Sequence, residues 1–318
     1  MLYKTNNKLR FLGALLGACL MACLVSCSGT KNKADVVPEG KHFLWKVSDE
    51  NSSVWVLGSI HLADSTLYPL APVIDSAFAH AEELAVEINM NDDEVVKEVG
   101  ERSAAQGTLA EGTLRDLLPE DMWNTVDSLC AVWDIPMEMI EKVRPWLAAT
   151  TLSSYAFMQA GLNPEYGIDY VFLDRAAMDG KAIVGLETAE EQISALADTT
   201  ESDSAGVYYL RTTLREISGF QELIANLMHA WKTGDDDMLR HLLDDGSEED
   251  TLSQDGKYKD DFEQRIYVNR NAKMAESIAG FLREDRNVFV VVGVAHLALE
   301  KDNVIETLRK RGFKIERF

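Results

Sequence analysis

Positive charge is scarce in this sequence: 31 Lys and Arg stand against 53 Asp and Glu in 318 residues, a formal net charge of −22. So acidic a chain disfavours nucleic acid as a partner, because phosphate binding needs cationic groups that release counterions. Cysteine is also scarce. Of the four, Cys19, Cys23 and Cys27 sit in the N-terminal segment, so the body holds Cys130 alone and its stability must come from core packing rather than a disulfide. Cys130 lies in the apolar-periodic stretch Met122–Trp133 and reads as a buried small hydrophobe, not a nucleophile. Several chemical signatures are missing: there is no G-x-S-x-G elbow, no Walker loop, no G-x-G-x-x-G and no H-E-x-x-H. What remains, 46% hydrophobic and 26% charged residues, is the composition of a globular protein with a sizeable core.

Only one long apolar run occurs. Phe11–Val25 follows a basic start at Lys4, Lys8 and Arg10 and is too short for a comfortable membrane span, so it reads as a secretory signal. It stops at Leu24-Val25-Ser26-Cys27, and the polar stretch Ser28–Lys33 follows, which resembles a bacterial lipobox. Residues 1–26 are therefore expected to be a lipoprotein signal peptide, with Cys27 as the acylated residue. Two or three acyl chains suffice for lasting attachment. Residues 27–40, with Gly29, Pro38 and Gly40, read as a flexible tether. The expected location is the cell envelope, with the protein membrane-anchored on the extracytoplasmic side.

Residues 41–318 read as one α/β domain. Phe43–Val47 and Ser53–Leu57 are short β-rich runs split by the turn-forming Asp49-Glu50-Asn51-Ser52, which predicts a hairpin. Helical spacing covers 70–82, and 83–90 reads as a strand. A helical middle over 92–161 is broken at Gly107, Gly112, Pro119, Pro136 and Pro145. A helix over 168–179, a strand over 181–186, helices through most of 189–283, a strand over 287–292, a helix near 300–311 and a closing strand over 313–317 complete the pattern. This predicts a central sheet covered by helices, a site at the strand ends and a largely helical middle insertion. The acidic run Gly234–Asp250 lacks the alternating ligand positions of a calcium loop and reads as solvated surface.

Strand ends carry the residues of chemical interest. Ser53–Leu57 runs into Gly58-Ser59-Ile60-His61, and Asn287–Val292 runs into Gly293-Val294-Ala295-His296. In each, the Gly is expected to turn the backbone so that the His projects over the sheet edge. Leu84-Ala85-Val86-Glu87 delivers one acid, and the strand ending at Leu186 delivers Glu187. Sites in open α/β sheets form beyond the carboxyl ends of strands, where these four residues can converge. Two His and one or two Glu suit a divalent ion such as zinc, manganese, cobalt or iron. Such an ion acidifies bound water while a carboxylate acts as ligand or general base. The bland alternative has both His merely ending strands, with Glu87 and Glu187 paired to Arg144, Arg175 or Arg270.

The G-S-I-H and G-V-A-H pair, with the Leu84–Glu87 strand between, resembles the TraB/GumN family, related to the TIKI-type metalloproteases. Arg144-Pro145-Trp146-Leu147, Gly167-Ile168-Asp169, Gly185-Leu186-Glu187-Thr188 and Arg270-Asn271 extend the resemblance in the same order. It implies a membrane-attached, divalent-metal-dependent peptidase acting outside the cell, with His61, Glu87 and His296 needed for activity. On that reading manganese, cobalt or zinc is held by His61, His296 and Glu87, and a peptide or protein is the substrate. Glu187 is a further ligand or an orienting group, and Arg270 steadies Glu87 or an anionic substrate group. Ser59 and Ala295 are small departures that leave both His in place. The alternative is a non-catalytic anchored protein that binds haem or a peptide, or a signalling inhibitor, with His61 or His296 as an axial iron ligand.

Overall fold

The first two β-branched and aromatic runs pair with each other. Leu44–Ser48 (β1) and Ser53–Ser59 (β2) are antiparallel, with Leu44 opposite Leu57 and Ser48 opposite Ser53. Asp49 shapes the turn by accepting from the amides of Asn51 and Ser52. A computed structural model describes residues 40–197, 203–217, 219–243 and 254–318. The expected signal peptide, Cys27 and the tether up to residue 39 lie outside the described residues, as do residues 244–250 of the acidic run. The described start of that run, Asp236–Leu243, is a helix.

Glu83–Val86 (β3), Ala182–Gly185 (β4), Val288–Gly293 (β5) and Lys314–Arg317 (β6) complete a mixed sheet in the order β4-β3-β5-β2-β1-β6. The strands β4, β3, β5 and β2 run parallel, while β1 is antiparallel to both β2 and β6. β5, the run V-F-V-V-V-G, is buried along its whole length, as befits a central strand with helices on both faces. The edge strands β4 and β6 are partly exposed. Phe78 of the helix Pro72–His80, Phe172 of the helix Ile168–Asp179 and Phe289 of β5 form an aromatic cluster, with neighbouring ring centroids 5.0, 5.5 and 4.9 Å apart. The helical middle, including Asp93–Gly107, Glu120–Val132 and Pro145–Gln159, lies between β3 and β4 in sequence. Cys130 is buried there and free, as expected. Among the described residues, no helix is long and apolar enough to cross a membrane.

Two expectations need correction. The strand read over 83–90 ends at Val86, because Asn89 turns the chain: its side chain accepts from the Asn91 amide and its carbonyl from that of Asp92. Gly58 does not turn the backbone after β2 but lies inside it, beside Val292 of β5. Its value is close approach. A Cβ there would stand 2.8 Å from Cγ2 of Val294 and 3.1 Å from its Cα, so only glycine lets the segment after β5 pack on β2.

The crossover gives the sheet its switch point. After β2 the chain skips one place to build β3 and then β4, and β5 later fills the vacant place between β3 and β2. The carboxyl ends of all four parallel strands therefore share one edge.

Candidate active site

Each parallel strand releases one of the four expected residues at that edge. His61 follows β2, Glu87 follows β3, Glu187 follows β4, and His296 lies in the short helix Val294–Ala298 directly after β5. All four are buried, with exposures of 5%, 4%, 6% and 1% in that order. The ladder between β3 and β4 continues one step past the strands: the amides of Leu186 and Glu187 donate to the carbonyls of Val86 and Glu87 at 2.8 and 2.9 Å. This sets the two glutamates side by side.

Both imidazoles are fixed through Nδ1. Nδ1 of His61 lies 2.7 Å from Oδ2 of Asp169, at the start of the helix Ile168–Asp179. Oδ1 of Asp169 accepts from the Ser59 hydroxyl at 2.9 Å. Nδ1 of His296 lies 2.6 Å from Oδ1 of Asn271, whose amide Nδ2 donates to the Asp302 carbonyl at 2.9 Å. A carboxylate and an amide oxygen accept only, so each ring carries a proton on Nδ1, and His296 turns an Nε2 lone pair toward the site. Nε2 of His296 is buried and has no hydrogen-bond partner. Burial, partly offset by the charge of Glu87, holds its pKa down at about 3, so the ring is neutral.

Arg270, near the start of the helix Asn269–Arg283, ties the acids together. Its Nε and Nη2 donate to the two oxygens of Glu187 at 2.8 and 2.6 Å, and Nη2 also donates to Oε2 of Glu87 at 2.6 Å. A further contact runs from Nη1 to the Ile266 carbonyl at 3.3 Å, across a π-helical turn over Gln264–Val268. Oε1 of Glu87 accepts from the Gly293 amide at 2.6 Å. Burial alone would raise the Glu87 pKa, but Arg270 and then the two imidazoles bring it down to about 2. For Glu187 burial prevails over Arg270 and pushes the pKa up. Of the arginines considered for these acids, Arg144 instead pairs with Asp203 at 2.6 Å and Arg175 with Asp75 at 2.7 Å.

Gly293 marks where the groups meet. A Cβ on it would lie 3.2 Å from Oε1 of Glu87, 3.5 Å from Nε2 of His61 and 3.5 Å from Cδ2 of His296. The residue is the last of β5 and has φ −48° and ψ 133°, so its backbone needs no glycine. A methyl there would sit tight against Oε1 of Glu87 and in ordinary contact with the two rings.

Among the described residues, no group of three or more His, Cys, Asp or Glu side chains meets the spacing of a metal site. The donors around Gly293 nonetheless suit a divalent ion in kind and come close in distance. Nε2 of His296 and Oε1 of Glu87 are 3.7 Å apart. Two ligand atoms on a tetrahedral ion with bonds of about 2.0–2.1 Å stand about 3.3 Å apart. The orphaned Nε2 and the cradle at Gly293 therefore fit such an ion with a small inward adjustment. Glu187 accepts from Arg270 through both of its oxygens.

The sequence profile of the TraB/PrgY/gumN family matches residues 43–317, a span that takes in all six strands. The chain belongs to this family. Two proteins named "Uncharacterized protein YbaP", from Escherichia coli (strain K12) and Shigella flexneri, are each 24% identical to this TraB/PrgY/gumN chain over 196 residues, covering 60% of it and 70% of their own length. No solved structure matches it significantly.

Sequence reasoning on this TraB/PrgY/gumN protein overlooked three participants. Ser59 was read as an incidental departure, yet it holds Asp169. Asn271 stood in the Arg-Asn pair without a role, yet it orients His296. The Gly293 amide is a backbone donor, which no side-chain pattern discloses. Only the fold reveals the link: Ser59 and Gly293 are opposite each other in the β2–β5 register.

Proposed function

We propose that this TraB/PrgY/gumN protein is a lipid-anchored, extracytoplasmic, metal-dependent hydrolase with TIKI-like peptidase chemistry, its divalent ion held by His61, His296 and Glu87. The observation that carries this reading is the buried, partnerless Nε2 of His296 beside Oε1 of Glu87. A neutral imidazole with its Nδ1 proton engaged and its Nε2 bare is half of a ligand arrangement, and leaving such an atom empty costs about 1–3 kcal/mol. When bound, manganese, cobalt or zinc would acidify a water and polarise a carbonyl.

The chain's own groups have separable parts. Asp169 and Asn271 fix which nitrogen of each imidazole carries the proton. Arg270 and the Gly293 amide keep Glu87 ionised and aimed at the histidines. A carboxyl with so low a pKa is a weak base, which suits Glu87 to a ligand's part more than to proton abstraction. Glu187 balances Arg270, and Arg270, only 5% exposed, serves the acids rather than a substrate anion. Removing the arginine would strand two buried carboxyls, a change of the kind that costs about 3–5 kcal/mol.

The test is cleavage of a diverse peptide library by residues 28–318 with added manganese, cobalt or zinc. Cleavage should depend on metal and vanish in His61→Ala and His296→Ala, and Asn271→Ala should lose about 10–100-fold in metal affinity. Cleavage that survives both His substitutions would defeat the proposal. A Soret band on adding haemin, lost in His296→Ala, would support the binding-protein reading instead.

A further inference from the structure

The candidate site and the point where the expected membrane tether enters the body occupy the same edge of the sheet. Because β1 is antiparallel to β2, its first residue, Leu44, stands level with Leu57 near the carboxyl end of β2. The Phe43 carbonyl accepts from the Gly58 amide at 2.8 Å, three residues before His61. β6 runs back beside β1 and ends at that edge too, where the His42 amide donates to the Phe318 carbonyl. The sheet order places β1 two strands from β5, a lateral distance on the order of 10 Å.

The entry point is pinned. Arg317 donates through Nε to the His42 carbonyl at 2.7 Å and through Nη2 to the Gly234 carbonyl at 3.0 Å, and pairs through Nη1 with Asp236. Its guanidinium lies over the rings of Phe43 and Trp45, 4.8 and 5.2 Å from their centroids. Gly234, with φ +65°, admits the strand: a Cβ there would fall 1.6 Å from the Lys41 carbonyl oxygen. Chain direction at residue 40 is therefore a property of the folded body.

From residue 40 back to Cys27 there are thirteen residues, which span at most about 45 Å even when fully extended. That is no more than the width of a body of this size. To turn the opposite edge toward the bilayer, the tether would have to travel the full depth of the molecule. We infer that the anchored protein presents its site edge to the membrane, so that the polypeptide it acts on is one held at the bilayer surface, such as a membrane-inserted or lipid-attached chain, rather than one diffusing freely. This inference rests on the lipid-anchor reading and deepens the proposed function by naming its substrate class.

The experiment uses full-length protein, processed and acylated in a bacterial host and reconstituted in phosphatidylethanolamine–phosphatidylglycerol vesicles. Cys130→Ala removes the buried thiol, and a single reporter cysteine is introduced by Thr233→Cys, next to the entry point, or by Glu50→Cys, in the β1–β2 turn at the far edge. Each is labelled with a donor dye, and energy transfer to acceptor-labelled headgroups is measured. Transfer from position 233 should exceed that from position 50 by about twofold, since β1 and β2 separate the two by about 20 Å. Equal or reversed transfer from protein that co-floats with vesicles overturns the inference alone. Protein that fails to co-float, or a Cys27→Ala variant that still does, overturns the anchor reading and the inference with it.

Discussion

At the residue scale the site is defined as much by an absent side chain as by those present. Gly293 leaves open the volume around which His61, Glu87 and His296 are arranged, and its dihedral angles are acceptable to alanine. Gly293→Ala should therefore fold, at a cost of about 1–3 kcal/mol from crowding, yet lose divalent-ion binding because the new methyl stands among the donors. Gly58→Ala is the contrasting case. Its methyl would strike Val294, so it should lower the unfolding midpoint through packing instead of through the donor set. Parallel denaturation and ion-binding titrations on the two variants separate these effects, and retained ion binding in Gly293→Ala would remove the glycine from the account. The two orienting groups differ in charge. Asp169 brings a negative charge to His61, whereas Asn271 brings none to His296, which already shares its surroundings with Glu87.

At the element scale, the parallel strands do the assembling. β3 and β5 are joined below the site by Arg286, just before β5, which pairs with both oxygens of Glu83 at the start of β3. The hydrogen bonds from Arg286 outweigh partial burial and hold the Glu83 pKa below its ordinary value. The sign follows: this pair stabilises the fold fully above the unfolded Glu pKa of about 4.3 and loses its effect as pH falls through the depressed folded value. Arg286→Ala should therefore cost up to about 1 kcal/mol near neutral pH, given partial solvent screening, and the gap from wild type should close as the solution is acidified below about pH 4. Chemical denaturation at neutral and acid pH measures it; a gap that widens in acid would contradict the assignment.

Much at this scale was legible in the sequence. The hairpin, the helix 168–179 and the buried run of β5 fall where period and β-branching put them. Strand order was not legible, because β5, the last of the parallel strands in sequence, is inserted between β2 and β3 by long-range pairing alone. The end of β3 was misread because the apolar residues Ile88 and Met90 prolong the pattern past Val86, while the side chain of Asn89 decides the turn. The role of Gly58 is misread for a related reason. Sequence can register that a residue is small, but whether the smallness serves a turn or a close approach depends on what lies opposite, here Val294 for Gly58 and the ligand-type atoms for Gly293.

At the scale of the whole molecule, a strongly acidic body with one buried free thiol is held by its core, and its fold draws four distant segments to one edge. We propose that the buried His61, Glu87 and His296 together form a site for a divalent ion. Metal analysis of residues 28–318 after equilibration with manganese, cobalt or zinc and removal of excess tests it most directly. About one ion per chain is expected in the wild type and none in the His61→Ala, His296→Ala double variant. Equal metal content in the two proteins, or none in either, would contradict it.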